Sequence, residues 1–130
     1  MKSFTIPIPN YVPSMDDRGV TFLVGQNAQD NHAIIDESVS PQDLWFHLEG
    51  ESSSHVVAKV PLEVNEIKDR KKRKDVIRKI AKQGAILCKQ HSRRKSSKEK
   101  VSVMYTEIKN VTKTLVPGEV KVMHSSVINL

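Results

Sequence analysis

The stretch Val76-Ile77-Arg78-Lys79-Ile80-Ala81-Lys82-Gln83-Gly84-Ala85-Ile86-Leu87-Cys88 carries the clearest structural signal in the chain. Val76, Ile77, Ile80, Ala81, Gly84, Ala85, Leu87 and Cys88 recur three and four residues apart, which places them on one face of a helix. Arg78, Lys79, Lys82 and Lys89 fall mostly off that face. Gly84 costs about 1 kcal/mol relative to Ala inside a helix, so its presence points to close approach against a sheet. The pattern predicts a helix over 62–91, best defined in its second half. Strand signals surround it. Upstream, Val20 to Val24 reads as a strand ended by Gly25, and Asn27 as the cap of a short helix reaching about Asn31, with Ala28 and Ala33 to Ile35 as modest apolar surface. Ser40-Pro41 reads as a turn into the aromatic strand Asp43 to Leu48. A loop at 50–54 separates it from the strand His55 to Val60, stopped by Pro61, and the two strands read as a hairpin. Downstream, 92–100 is a basic, serine-rich loop. Val101, Val103 and Tyr105 then alternate with polar residues as a strand, Pro117-Gly118 marks a turn, and Val120, Val122 and Val127-Ile128 form final short strands. Pro7, Pro9 and Pro13 confine residues 1–14 to an edge strand or an extended N-terminal arm, and residues 15–19 read as a turn. The expected fold is α+β, a mostly antiparallel sheet packed against one long basic helix.

The whole chain, 130 residues, falls in the usual size range of one domain. Cys88 is the only cysteine, so no intramolecular disulfide forms and zinc spacings that need two cysteines are excluded. No run approaches the ~18 apolar residues of a membrane span, and no apolar stretch follows Lys2 as a secretory signal requires. The expectation is a soluble cytoplasmic protein. The net charge of +6 hides a strong asymmetry. Residues 68–100 hold 15 of the 21 basic residues against three acids, so this segment carries +12 and the rest of the chain −6. Such a directed field suits a polyanion. An anionic membrane surface fits less well, because the face opposite the charges carries small aliphatic residues rather than Trp, Phe and Leu.

Three constellations bear on chemistry. Asp43 and His47 share a strand face by period two, and a hairpin brings His55 near His47. Two imidazoles and a carboxylate can hold a divalent metal, but imidazoles at a strand end that bond backbone groups are the preferred reading. Nucleophilic catalysis is weakly supported. Cys88 lies on the apolar helix face, Ser54 and His55 point to opposite faces of a strand, and no nucleophile elbow or glycine-rich phosphate loop is present. No cofactor is expected. The third constellation is the basic helix and loop, with 15 basic to three acidic side chains where ordinary solvated faces mix signs. Each Lys or Arg contact to a phosphate releases condensed counterions. The serines at 92, 96 and 97 add phosphate donors, and Arg93 and Arg94 add guanidinium planes that stack on exposed bases.

Four motifs now stand in order. Val24-Gly25-Gln26-Asn27-Ala28-Gln29-Asp30-Asn31, Pro41-Gln42-Asp43-Leu44-Trp45-Phe46-His47 and Ser53-Ser54-His55-Val56 resemble the NFACT-R domain, whose pattern runs approximately V-G-K-N-A-x-x-N, P-x-D-L-W-F-H and G-S-H-V. Val103-Met104-Tyr105-Thr106, with Lys109, Val111, Lys113 and Pro117-Gly118-Glu119-Val120, resembles that domain's tail. The match spans residues 20–122 of an expected single domain, 1–130. The departures are Gln26 for the usual Lys, which removes a positive charge from the glycine loop, Ser53 for the usual Gly, and an unusually basic 68–74 run.

The resemblance implies an RNA-binding module. In ribosome quality-control proteins of the NEMF/RqcH type, such a domain belongs to a factor that engages stalled large ribosomal subunits and tRNA and supports tailing of the stalled chain; here a stand-alone version is expected. The resemblance also implies roles. Gly25 and Asn27 shape a loop at the strand end and Asn31 braces it. Asp43, Trp45, His47, Ser54 and His55 form the central motif, with Trp45 read as core in preference to a stacking platform, and Tyr105 belongs to the tail. Lys109 and Lys113 join the basic segment (Lys71, Lys72, Arg73, Lys74, Arg78, Lys82, Lys89, Arg93, Arg94 and Lys95) in contacting phosphates. The preferred reading is a non-catalytic RNA-binding protein acting on tRNA or ribosomal RNA in translation or ribosome-associated quality control, with the large ribosomal subunit as a partner. The alternatives are a metal-dependent nuclease using Asp43, His47 and His55, and a DNA-binding protein. In the non-catalytic case, protonation of the two histidines near pH 6–7 is expected to modulate binding.

Overall fold

The computed structural model describes residues 1–8, 19–37 and 40–130. The expected arm beyond Ile8 and the turn at 15–18 lie outside the described residues. In chain order the elements are β1 (Lys2–Ile6), β2 (Val20–Val24), α1 (Ala28–Asp36), β3 (Leu44–Leu48), β4 (Val56–Lys59), α2 (Leu62–Asn65), α3 (Arg70–Gln90), β5 (Ser102–Glu107), a 3-10 turn (Ile108–Asn110), β6 (Val111–Lys113), β7 (Val120–Val122) and β8 (Ser126–Asn129). Six strands form an antiparallel sheet in the order β1-β2-β4-β3-β5-β8. The proline-bounded β1 lies at its edge, where a missing N–H does no harm to a ladder.

Alternation divides the core in two. On one face Phe22, Leu44, Phe46, Val56 and Ala58 pack against Val76, Ile80, Ala81, Ala85 and Cys88 of α3. On the other, Leu23, Trp45 and Val57 pack against Ile34 of α1 and against Ile108 and Val111. Register fixes this division: Trp45 lies opposite Val57 and Thr106, while Phe46 lies opposite Val56 and Tyr105. With both faces covered, β3 is apolar at nearly every position, as expected of a strand buried on two sides. At Gly84 the ring of Phe46 occupies the place where a Cβ would stand, so the missing side chain lets α3 lie flat on the sheet.

Three sequence expectations change. The helix expected over 62–91 is broken: α2 is a single turn after Pro61, and α3 starts at Arg70 because the Asp69 carboxylate caps it, accepting from the backbone N–H of Lys71 (3.0 Å) and Lys72 (3.2 Å). An Asp in that role satisfies two of the four N–H groups a helix start leaves unpaired. The Asn27-capped helix runs to Asp36 rather than to about Asn31, because its second turn buries Ile34 over Trp45. Val120 and Val122 leave the main sheet and pair with β6, which the sequence pattern did not reveal, in a separate two-stranded sheet. The Pro117-Gly118 turn lies between these strands, with Gly118 at φ +82°. Val111, Val120 and Val122 of this small sheet pack with the Trp45 cluster.

Candidate nucleic-acid interface

The cations expected to meet phosphate do not all stand ready. Lys71, Lys72, Lys74, Arg78 and Lys82 lie exposed along α3, and Arg93 and Lys95 lie exposed in the turn beyond it. None of these seven makes an ion pair among the described residues. Lys71, Arg78 and Lys82 are spaced so that they share one side of the helix over about 16 Å. Five others are engaged within the protein. Arg73 Nη1 donates to the Ile67 carbonyl at 2.8 Å, tying α3 to the α2 turn. Lys89 Nζ donates to the Ser97 carbonyl at 3.2 Å, and Arg94 Nε pairs with Glu51 at 3.1 Å. On the far side of the sheet Lys113 pairs with Asp36 at 2.7 Å, and Lys109 lies 3.7 Å from Glu107.

The motif residues converge from distant parts of the chain. Asn27 caps α1, its Oδ1 accepting from the Asp30 N–H at 2.8 Å. One turn on, Asn31 Oδ1 accepts from the His55 backbone N–H at 3.0 Å, and the His55 carbonyl accepts from Gly25 N–H at 2.9 Å. A Cβ on Gly25 would collide with the Asn31 amide oxygen. The start of α1 is thereby locked to the β3–β4 hairpin. Within the hairpin the indole N–H of Trp45, itself 1% exposed, donates to His55 Nδ1 at 3.1 Å. His47 lies flat against the indole (5.7 Å between ring centres, 10° between planes) and stands edge-on to His55 (5.1 Å, 83°). Trp45 is therefore buried beneath this site and offers no stacking surface to solvent. Ser53, where the family pattern has Gly, closes the hairpin loop: its Oγ accepts from Leu48 N–H at 3.0 Å.

Of these, Asn27, Asn31, His47, Ser53 and His55 line a cleft of about 430 Å³ between the start of α1, the 52–54 loop, the end of α3 and the Pro117-Gly118 turn. His91, Ser92 and Ser52 also line it, and sequence reading did not single out His91 or Ser52 as site residues. A histidine and serine pair directly after a long helix, facing a run of three serines, was the available signal. The remaining motif residues lie elsewhere. Tyr105 stacks on Phe46 on the α3 side (6.0 Å, 24°) and lines a separate cleft of about 450 Å³ with Arg73. Asp43, four residues before His47 and so about 13 Å along an extended chain, is buried and accepts from the Val60 N–H at 3.1 Å. The Asp43, His47, His55 triad of the nuclease alternative is thus not assembled, and no three His, Cys, Asp or Glu among the described residues are grouped to hold a metal ion.

Burial sets the protonation of the site. It pushes the His55 imidazole down to about 3, reinforced by the neighbouring His47 and by His32, and it lowers His47 as well against the opposing effect of its bond to the Leu48 carbonyl. His55 therefore does not gain a proton near pH 6–7, contrary to the expectation from its ordinary value. The Cys88 thiol, buried behind the hairpin, is pushed up to about 12 and is no thiolate at neutral pH. No helix among the described residues is long and apolar enough to cross a membrane.

No curated protein matches the chain. Among solved structures, the C-terminal part of the fibronectin/fibrinogen-binding protein from Streptococcus suis is similar in fold, with a TM-score of 0.68 and 23% identity. The likeness covers 95% of this chain and 45% of that one, so this chain spans less than half the length of that structure. The family pattern of the NFACT protein RNA binding domain matches residues 10–124, nearly the whole chain. By this match, with residues from each of its four motifs lining one cleft, the chain belongs to the NFACT protein RNA binding domain family.

Proposed function

We propose that this protein is a non-catalytic RNA-binding protein of the cytoplasm that acts on tRNA or ribosomal RNA in ribosome-associated quality control, at the large ribosomal subunit. The observation that carries the reading is the row of exposed, unpaired cations along α3, continued by Arg93 to the mouth of the histidine cleft. A solvated helix face would hold its charges in mixed pairs, whereas on this face, among the described residues, only Lys79 does so, with Asp75 at 2.9 Å. Phosphate contacts from such a row supply affinity without sequence information, and the cleft motifs then orient the RNA. Membership of an RNA-binding family supports RNA over DNA as the polyanion.

Two measurements test this. Crosslinking in cells followed by sequencing of the bound nucleic acid is expected to recover tRNA or ribosomal RNA; recovery of DNA alone, or of nothing, overturns the reading. Replacing Lys71, Lys72, Lys74 and Arg78 by Ala is expected to weaken binding and flatten its salt dependence. At ~0.7 per contact for single strands and ~0.9 for duplex, four lost contacts reduce the log–log slope by roughly 2.8–3.6. An unchanged affinity and slope would make α3 a solvated face.

A further inference from the structure

We propose that the cleft beside α1 receives one unpaired nucleobase of the RNA, edge-on to His47 and His55. The proposal rests on the RNA-binding reading and specifies how part of that site works.

The two imidazoles have fixed and opposite hydrogen-bonding roles. The indole N–H of Trp45 can only donate, so His55 Nδ1 is bare and the ring proton is on Nε2. His47 Nδ1 lies 2.6 Å from the Leu48 carbonyl oxygen, which can only accept, so this nitrogen carries the proton and Nε2 is bare. Neither Nε2 has a partner among the described residues. His55 is 98% buried as a residue and lines the cleft, and its Nε2 is not among the buried polar atoms left without a partner, so this N–H is open to the ligand space rather than sealed in the core. The pair thus offers one donor and one acceptor side by side. Every unpaired base presents adjacent acceptor and donor atoms on its Watson–Crick edge, and RNA recognition commonly uses that edge together with aromatic contacts. In a duplex the same edge is occupied.

The walls favour a neutral, planar guest over an anion. Asn27, Asn31 and Ser52 are uncharged, and among the described residues Arg93 is the one full charge on the lining. Arg93 lies exposed at the mouth, where it can meet the phosphate of the same nucleotide. Burial keeps His55 neutral and so preserves the donor–acceptor pair, since protonated imidazoles would only donate. A volume of about 430 Å³ falls within the range of small-ligand sites. His47, His55, Ser52 and Gly118 also line a neighbouring cleft of about 510 Å³ under β7, so the histidines lie where the two spaces meet.

The test uses the intact 15N-labelled protein and long-range imidazole spectra, with the four nucleoside 5′-monophosphates, ribose 5-phosphate and inorganic phosphate as probes. The expected result is movement of both Nε2 resonances with at least one nucleoside monophosphate and with neither phosphate control. Equal movement with ribose 5-phosphate or inorganic phosphate makes this an anion site and overturns the proposal, as does no movement with any nucleotide. Ser52→Trp, on an exposed loop residue of the cleft wall, is expected to raise the dissociation constant for the responding nucleotide by at least about tenfold, ~1.4 kcal/mol. Its salt slope for RNA should stay that of the unsubstituted protein, and unchanged nucleotide affinity overturns the proposal. Loss of the nucleotide response with RNA still held through α3 would remove the base pocket alone. A protein that binds no RNA would remove the broader reading with it.

Discussion

The two faces of the sheet solve different problems. On the α3 side the packed surface is mostly aliphatic, with Phe22 and the stacked Phe46 and Tyr105 among it, and the charge is turned outward along a single helix. On the Trp45 side the core is smaller, and it is joined to a network of indole, two imidazoles, an amide and backbone groups at the end of the hairpin. The first side can attract a polyanion at long range but cannot distinguish one sequence from another. The second is shaped and nearly neutral, so binding there would depend on hydrogen-bond geometry more than on salt. In the proposed reading affinity comes from the helix and recognition from the cleft, and the two should fail under different perturbations.

The largest effect should come from the residue that joins core and site. Trp45→Ala removes a buried indole and leaves His55 Nδ1 without its donor; a loss of about 3–5 kcal/mol is expected by denaturant titration. A folded, stable variant would mean that the Trp45 side is not a core at all. Acid should attack the same side next. Folded His55 stays neutral down to about 3 whereas the unfolded side chain takes up a proton below about 6.5, so the unfolded state binds more protons in that window. Stability from this residue is complete above about pH 6.5 and falls as pH falls towards 3, by on the order of 4 kcal/mol. A His55→Asn variant whose midpoint is less acid-sensitive than the unsubstituted protein would confirm the source; equal acid sensitivity would place it elsewhere.

The α3 side is probed by Gly84→Ala. The added methyl meets the Phe46 ring, and overpacking of this kind costs about 1–3 kcal/mol, more than Ala gains as a helix former. Thermal melting should show destabilisation while the nucleotide response of the cleft persists. The smallest effect is expected for Lys113→Ala. Its exposed ion pair with Asp36 contributes less than about 1 kcal/mol, and with its ammonium already paired on the far side of the sheet, its loss should leave the salt slope of RNA binding near its original value. A drop in slope as large as that of an α3 lysine would place RNA across both faces and dissolve the division between them.

Much of this architecture was legible in the chain. β2 runs over the residues its apolar run indicates, and β3 with β4 forms the expected hairpin. The apolar spacing of Val76 to Cys88 gives the buried side of α3, and Gly84 marks the close approach it suggested. These signals are local periodicities, and a covered face leaves them whatever covers it. The break at 66–69 was harder to see, because the residues from Leu62 to Ile67 are compatible with a helix and only the Asp69 cap separates α2 from α3. β6 has three residues, too few for alternation to be distinguished from chance, and its strand character depends on pairing with β7. The list of phosphate-facing cations was too long for a related reason. Lys and Arg read alike in a sequence, and their availability depends on carbonyls and carboxylates far along the chain, such as Glu51 for Arg94 and Asp36 for Lys113.

By itself, the sequence determined the α+β class, the long basic helix, the asymmetry of charge and the order of four motifs, since each is written in neighbouring residues. Only the tertiary structure decided that Asn27 and Asn31, His47, His55, His91 and the Pro117-Gly118 turn border one space. It alone decided which nitrogen of each imidazole is free, because that depends on the Trp45 indole and the Leu48 carbonyl. It also set the protonation of the pair, through burial that an isolated histidine would not feel. Hydrogen-bond roles and proton affinities belong to an environment, and distant segments supply that environment only when the chain closes on itself.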